Sequence, residues 1–246
     1  FTHNKDRSLD SDVMNIHHKA SLGTGNLMKY VEDYYHLNDD FDSVVGLTQI
    51  MQAEAIRFAV EAHRRNMPYC MGTLYWQFND CWPVISWSSI DYGGNWKALH
   101  YAARKFFSPL LVSIRDLDNK IEIHVINDQH HEIESEIRLG LFNFNGDTLF
   151  NDSSDIKVEP FSSVIYHVFD KDDLLCGSDP SAIMFRAELF VGGKSLSRAH
   201  QFFSRPKYLN IPSPEFDYKI ERVRGKFVIT IKSKSFLCQV HLISIK

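Results

Sequence analysis

The sequence predicts a multidomain α/β plus all-β protein, in which the C-terminal portion of a (β/α)8 barrel is followed by an immunoglobulin-like β-sandwich. Three observations carry this prediction. A long amphipathic helical pattern comes first, and an aromatic strand pattern follows it. After Pro109, short alternating runs recur with turn residues between them, as in a sandwich. The change of pattern near Pro109 indicates two joined architectures.

The first predicted element is a helix that opens at a cap formed by Asp42 and Ser43 and ends at Arg64 and Arg65. Apolar residues repeat along it at spacings of three and four. They are Leu47, Ile50, Met51, Ala55, Phe58, Ala59 and Ala62. This spacing predicts an amphipathic helix of about six turns with one face toward a core.

A strand is predicted next, over residues 69–78, because the run is aromatic and apolar on both faces, as in a buried parallel sheet. A polar, aromatic loop follows. A second helix is predicted between Gly93-Gly94 and Pro109. Its apolar positions are Trp96, Leu99, Ala103 and Phe106. Helix, buried strand, long loop and helix form the order of a barrel segment.

The sandwich is predicted from runs in which apolar and polar residues alternate. These runs lie at 121–125, 133–141, 156–158, 164–168 and 183–190. Polar residues such as Glu122, His124, Arg186 and Glu188 are expected to face solvent. Asn145-Gly146-Asp147 is expected to form a turn.

Beyond Pro206, residues 211–214 are rich in proline and are expected to be a linker. A hairpin with Arg224-Gly225 at its turn is predicted after it. The predicted domains are therefore 1–109, the incomplete barrel part; 110–206, the sandwich; and 207–246, the start of a second, truncated sandwich. A chain that opens on Phe1 without an initiator methionine is expected to be a fragment or a processed product.

Composition excludes several partners. Net charge is -4 and no run of Lys and Arg stands out, so neither nucleic acid nor an acidic membrane surface is expected as a partner. No apolar run approaches the roughly 18 residues of a membrane span. The adjacent His17 and His18 fit no common ligand spacing, so neither a metal nor another cofactor is predicted. Asn151-Asp152-Ser153 fits the acceptor pattern for N-glycosylation.

The chemistry is expected between Trp76 and Trp96, a stretch that holds all four tryptophans. Flat aromatic rings stack on the C–H faces of pyranose rings, and Asn and Asp side chains bind hydroxyl groups. The predicted substrate-binding residues are Trp76, Asn79, Asp80 and Trp82. The competing interpretation is that the tryptophans plug the barrel mouth and pack the following helix, and the helical spacing of Trp96 with Leu99 and Phe106 favours this for that residue.

The run Leu74-Tyr75-Trp76-Gln77-Phe78-Asn79-Asp80, and the sequence around it from residue 1 to about 112, resembles the β-mannosidases of glycoside hydrolase family 2. This resemblance implies a retaining hydrolase of terminal non-reducing β-D-mannose residues, acting on a β-mannoside or oligosaccharide. Two carboxylates about 5 Å apart would do the chemistry. It also implies that Trp76 stacks on the sugar.

In that family, the acid/base follows an Asn and the nucleophile lies in a Ser-Glu motif, both upstream of the similar region. This sequence has no Asn-Glu pair, and its Ser135-Glu136 lies in a predicted sandwich strand. No catalytic residue is therefore predicted in this fragment, which is expected to be inactive alone. The resemblance favours a lysosomal, periplasmic or secreted location, although the sequence does not fix the compartment.

Two alternatives stay open. The first is another exo-glycosidase of family 2, such as a β-galactosidase or a β-glucuronidase, because loops outside this chain set the sugar preference. The second is a non-catalytic module that binds a glycan through the loop at residues 76–96 or supports an assembly.

Overall fold

The computed structural model describes residues 2–20, 24–37, 40–238 and 240. Its helices are α1 (Asp12–Ile16), α2 (Gly25–Tyr34), α3 (Phe41–Arg65), α4 (Ala98–Phe106) and α5 (Lys171–Leu175). Its strands are β1 (Leu110–Asp116), β2 (Lys120–Asn127), β3 (Ile133–Asn143), β4 (Thr148–Val158), β5 (Ser162–Asp170), β6 (Ile183–Val191), β7 (Lys194–Phe202), β8 (Phe216–Val223) and β9 (Lys226–Ser233). Within these ranges, no helix is both long enough and apolar enough to cross a bilayer.

Helix α3 is the long helix that the sequence predicts, with a different start. Its cap is Asp40, whose carboxylate accepts a hydrogen bond of 2.8 Å from the backbone N–H of Ser43. The predicted cap at Asp42 and Ser43 was therefore two residues late. An acidic side chain at the N-cap reaches the N–H three residues on, and this satisfies one of the unpaired donors of the first turn.

Helices α3 and α4 pack together around a small core. Its buried members are Ala53, Val60, Leu99, Ala103 and Phe106. Trp96 precedes α4 and lies with its ring 4.3 Å from the ring of His100 and 5.1 Å from that of Tyr101, measured between centroids. These contacts confirm that Trp96 packs on the second helix.

The strand predicted over residues 69–78 was wrong for this structure. The segment is extended but forms no ladder, and the side chains of Tyr69 and Leu74 are 98% and 99% exposed. A strand needs hydrogen bonds from a neighbouring strand, and no described residue forms a sheet ladder beside this segment. Most of its apolar side chains therefore lie on the surface, whereas Tyr75 packs against the core of α3 and α4.

The sandwich consists of two antiparallel sheets, ordered β1-β2-β5 and β4-β3-β6-β7. Their inner faces enclose one apolar core. Its fully buried members include Val112, Ile121, Ile123, Val125, Ile137, Phe185, Ala187 and Leu189. Strand β1 also lies beside β7, where the Val112 N–H donates to the hydroxyl of Ser197 at 3.0 Å. The predicted β-sandwich is confirmed.

Alternation identified β2, β3, β5 and β6, but it did not identify two strands. Strand β1 follows Pro109 and is apolar without alternation, and β7 turns small residues, Ser197 and Ala199, toward the core. Three residues expected to face solvent, Glu122, His124 and Glu188, are buried. Neighbouring side chains and helix α3 cover the outer faces of their strands.

The predicted hairpin is present as β8 and β9. Arg224 and Gly225 form its turn with φ values of 48° and 79°, and both lie in the left-handed region that a tight hairpin turn requires. All side chains of β8 are exposed. The division at 109 and 206 into three domains stays a prediction.

Candidate functional site

The aromatic loop, residues 75–96, doubles back on itself. The Asp80 N–H donates to the carbonyl of Ile90 at 3.2 Å, and the Ile90 N–H donates to that of Phe78 at 2.9 Å. The Lys97 N–H closes the loop by donating to the Ser89 carbonyl at 2.9 Å. Backbone hydrogen bonds between its two limbs therefore hold the loop in one shape.

A buried carboxylate lies at the centre of this loop. Asp80 accepts hydrogen bonds from the hydroxyls of Ser86 at 2.7 Å and Ser88 at 2.5 Å. The ammonium of Lys97 lies 3.4 Å from the same carboxylate and 2.7 Å from the Ser88 hydroxyl. Burial raises the pKa of Asp80, but these hydrogen bonds and the Lys97 charge outweigh it, so the pKa lies below its ordinary value.

The structure changes the expected role of Asp80. Its side chain is 0% exposed, and both of its oxygens already have partners within the loop. A carboxylate in this position holds the loop together, and its full burial keeps it out of reach of a sugar hydroxyl. We therefore correct the prediction that Asp80 contacts substrate and regard it as a residue that supports the loop.

Helix α3 holds the loop through hydrogen bonds from two glutamine side chains. The side-chain amide of Gln52 donates to the Trp87 carbonyl at 2.7 Å. One turn earlier, the Gln49 carbonyl oxygen accepts from the Ala98 N–H at 3.2 Å, at the start of α4. Two glutamines at adjacent positions on one helical face thus bind both the loop and the helix that follows it.

Trp76 stands at the rim of this anchored structure. Its side chain is 76% exposed, and the peptide bond to Gln77 is cis. Gln77 is held by the Trp87 indole N–H at 3.0 Å and by the Lys19 ammonium at 3.4 Å. The backbone that carries the Trp76 indole is therefore held on its C-terminal side, while most of the side chain is exposed.

Asn79 and Trp82 lie on the same loop. Asn79 is exposed, and its amide donates to the Asp80 carbonyl at 3.3 Å. Trp82 is 39% exposed and stacks on the ring of His17, with centroids 5.2 Å apart and planes 27° from parallel. The prediction that Trp76, Asn79 and Trp82 bind substrate is not decided by this geometry and stays a prediction.

Several supporting residues were not predicted from the sequence. The Nδ1 of His17 lies 2.5 Å from the Pro83 carbonyl oxygen, and its ring packs on Trp82. The Lys19 ammonium lies 5.5 Å from the Trp87 ring centroid. No local pattern signals these contacts, because more than 60 residues separate the partners. Within the described ranges, no group of three or more His, Cys, Asp or Glu side chains is arranged to hold a metal ion.

Comparison with known proteins adds to this geometry. Residues 119–208 match the family described as Mannosidase Ig/CBM-like domain. The β-mannosidase of Capra hircus is 40% identical over 117 residues, which cover 41% of this chain and 13% of that enzyme. The β-mannosidase A of Aspergillus oryzae is 31% identical over 156 residues, which cover 59% of this chain and 17% of that enzyme.

A crystal structure of β-D-mannosidase from Dictyoglomus thermophilum superposes with a TM-score of 0.88 and 27% identity. The superposition covers 96% of this chain and 29% of that one. The chain thus spans less than a third of the length of the relatives it matches. The match includes the helices and the sandwich in one arrangement. The chain is therefore similar to β-mannosidases over both its helices and its sandwich.

Proposed function

We propose that this chain is part of a retaining exo-glycosidase that hydrolyses terminal non-reducing β-D-mannose residues, and that it forms the back wall of the mannose subsite. The observation that carries the proposal is the exposed indole of Trp76 on a loop held by buried hydrogen bonds. An aromatic ring that is exposed yet fixed is suited to binding, because little freedom is lost when a ligand stacks on it.

The predicted binding chemistry divides between two kinds of side chain. The Trp76 indole would stack on the apolar C–H face of the sugar ring, as the resemblance implies. The Asn79 amide, which is exposed beside it in the chain, would bind a hydroxyl group. Trp82 would border the subsite while resting on His17. Lys97 and Asp80 would act only by holding these residues in place.

Mannose is the proposed sugar because the relatives from Capra hircus and Aspergillus oryzae, and the solved structure from Dictyoglomus thermophilum, are all named β-mannosidases. The alternatives are a β-galactoside or a β-glucuronide in the same subsite. A panel of chromogenic β-mannoside, β-galactoside and β-glucuronide, given to the full-length enzyme that contains this segment, distinguishes them. Preference for either of the latter two would contradict the choice of mannose.

The catalytic carboxylates would come from outside this segment. Its nearest candidates are occupied: Asp80 is buried with Ser86, Ser88 and Lys97, and Asp91 accepts hydrogen bonds from the backbone and the side chain of Asn95. We infer that the isolated polypeptide is inactive. In the complete enzyme, two further carboxylates would perform hydrolysis with retention of configuration.

The role of Trp76 is tested in the full-length enzyme that contains this segment. Trp76→Ala should lower kcat/KM for a β-mannoside by about 100-fold, because the ring that positions the sugar is lost. Steady-state kinetics measures this. The matched control is Tyr92→Ala, which removes another exposed aromatic ring from the same loop.

Tyr92→Ala should leave kcat/KM unchanged, since no subsite role is proposed for Tyr92. Unchanged kinetics in Trp76→Ala, with the variant folded by circular dichroism, would show that Trp76 does not contact the sugar. Equal losses in both variants would indicate damage to the loop and not to a subsite.

A further inference from the structure

The sequence Asn151-Asp152-Ser153 lies on strand β4, far along the chain from the aromatic loop. Strand β4 is the edge strand of its sheet, which is ordered β4-β3-β6-β7. In the ladder, Asn151 lies opposite Gly140 and Ser153 opposite Arg138, both on β3. Because side chains alternate along a strand, Asn151 and Ser153 point to the same, outer face of the sheet.

Both acceptor groups are accessible and unengaged. Asn151, Asp152 and Ser153 are all exposed. The Asn151 amide and the Ser153 hydroxyl form no hydrogen bond with any residue that the structure describes. The one nearby side-chain bond joins the Ser153 N–H to the Asp152 carboxylate at 2.8 Å. Since the amide and the hydroxyl are the two groups that the acceptor pattern requires, folding would not hide the site.

An aromatic ring covers the residue that lies opposite Asn151 in the ladder. That cross-strand partner is a glycine, and the ring of Phe142 lies over that glycine, with ring carbons 2.5 Å from where a Cβ would stand. On the far side, the Arg186 guanidinium covers the ring at 4.6 Å from its centroid. An aromatic ring therefore lies over the ladder partner of Asn151, at a position where a residue other than glycine would displace it.

We propose that Asn151 is an N-glycosylation site and that the first sugar of the glycan rests against the Phe142 ring. In the reaction, the Asn151 Nδ2 bonds to C1 of a lipid-pyrophosphate-linked oligosaccharide. The C1–O bond to pyrophosphate breaks, the lipid pyrophosphate leaves, and the amide loses one proton. A glycan on an edge strand also blocks pairing with other chains.

The acceptor is tested by producing this chain with a secretion signal in a eukaryotic host that glycosylates proteins. Intact mass is measured before and after treatment with peptide N-glycosidase. The wild-type chain should lose the mass of one glycan, and the variants Asn151→Gln and Ser153→Ala should lose none. The control Asn145→Gln, on the neighbouring turn, should behave like the wild type. Absence of glycan even in Ser153→Thr, which strengthens the acceptor pattern, would overturn the proposal.

The contact with the ring has its own test. Enzymatic removal of the glycan should lower the Tm of the wild-type chain by about 2 °C, roughly the effect of 1 kcal/mol in a chain of this size. It should have no effect on the Tm of Phe142→Ala. The matched control is Phe190→Ala, a ring covered by Arg138 elsewhere on the same sheet. Equal Tm losses in both variants would show that the glycan does not rest on Phe142.

Discussion

At the scale of single residues, Asp80 shows how burial assigns a role that composition cannot. An Asp beside an exposed Trp fits a sugar site, yet its carboxylate is enclosed by Ser86, Ser88 and Lys97. A buried ion pair whose hydrogen bonds are all made contributes to the stability of a specific loop shape, and removing one partner leaves the other charge exposed to an apolar interior.

Asp80→Ala should lower the free energy of unfolding by about 3 kcal/mol, because Lys97 is then left partly buried without its counter-charge. Urea denaturation followed by Trp fluorescence measures this. The double variant Asp80→Leu with Lys97→Met should recover part of the loss, since neither charge remains. The exposed substitution Asp152→Asn serves as control and should change stability by less than about 0.5 kcal/mol.

The same loss should depend on pH in a defined direction. The folded pKa of Asp80 lies below the ordinary pKa of an aspartate, so its stabilising contribution is fully present above about pH 4 and disappears as pH falls through the folded pKa. A difference between wild type and Asp80→Ala that persisted at the same size in strong acid would contradict the ion-pair explanation.

At the scale of elements, helix α3 meets the sandwich through a buried polar joint, formed by Glu61, Arg65, Ser113, Glu122 and His124. The Ser113 hydroxyl donates to the Glu61 carboxylate at 2.6 Å and accepts from the Arg65 guanidinium at 2.6 Å. His124 Nε2 lies 3.3 Å from the Glu122 carboxylate. Helix α3 therefore covers the outer face of β1 at Ser113, while Arg115 and Lys120 at the edge of the joint stay partly exposed.

This joint should weaken in acid. Burial lowers the pKa of His124, and the charges of Arg65 and Arg115 lower it further, against the hydrogen bond to Glu122. Because the folded pKa is depressed, the contribution of the neutral ring is present above about pH 6.5 and is lost as pH falls through the folded pKa. The charged groups around the ring are Glu122 and Lys120 on β2, Arg115 on β1, and Arg65 and Glu61 on α3.

The midpoint of urea denaturation should therefore be lower at pH 5 than at pH 7, and His124→Gln should reduce this difference. His200 lies on β7. Burial and the charge of Arg57, on helix α3, lower its pKa, so His200→Gln should reduce the difference as well. The exposed His130 supplies the control, and His130→Gln should leave the pH dependence unchanged. Identical pH profiles for the wild type and the double variant His124→Gln with His200→Gln would refute the role of these two histidines in the acid sensitivity.

At the scale of the whole molecule, the chain combines helices and a sandwich that the relatives carry as less than a third of their length. The exposed apolar segment at residues 69–78 and the exposed β8–β9 hairpin both present surface that a longer chain could cover. The activity proposed above would thus need a longer chain, in which this segment would supply the proposed binding wall.

The purified polypeptide alone should not hydrolyse a chromogenic β-mannoside, because Asp80 and Asp91 are engaged and no matching catalytic motif is present. Release of the chromophore, compared with a buffer blank, measures this. The full-length enzyme that contains this segment is the positive control. Turnover by the pure polypeptide that no substitution of Trp76 abolishes would show that the catalytic site lies elsewhere.

Periodicity predicted the elements in which apolar and polar side chains follow a regular spacing. Strands β3 and β6 alternate clearly, and the hairpin turn carries Gly225 at a φ of 79°, which favours glycine. Helix α3 was predicted in the right place but with the wrong buried face, because Phe58 of the predicted stripe is 69% exposed while Ala53 and Val60 are buried. Strand β1 was not predicted because it is apolar without alternation, and strand β7 was not predicted because its inward residues are small. Residues 69–78 have the composition of a buried strand but lack a neighbour that would complete one.

The sequence by itself determined the order of helix and strands, the family resemblance, and the nomination of Trp76, because each depends on residues close together in the chain. Only the tertiary structure decided that Asp80 supports the loop, that His17 stacks on Trp82, and that Glu122 and His124 are buried near α3. The physical reason is that burial and hydrogen bonding depend on partners distant in sequence, and the spacing of residues along a chain carries no record of them.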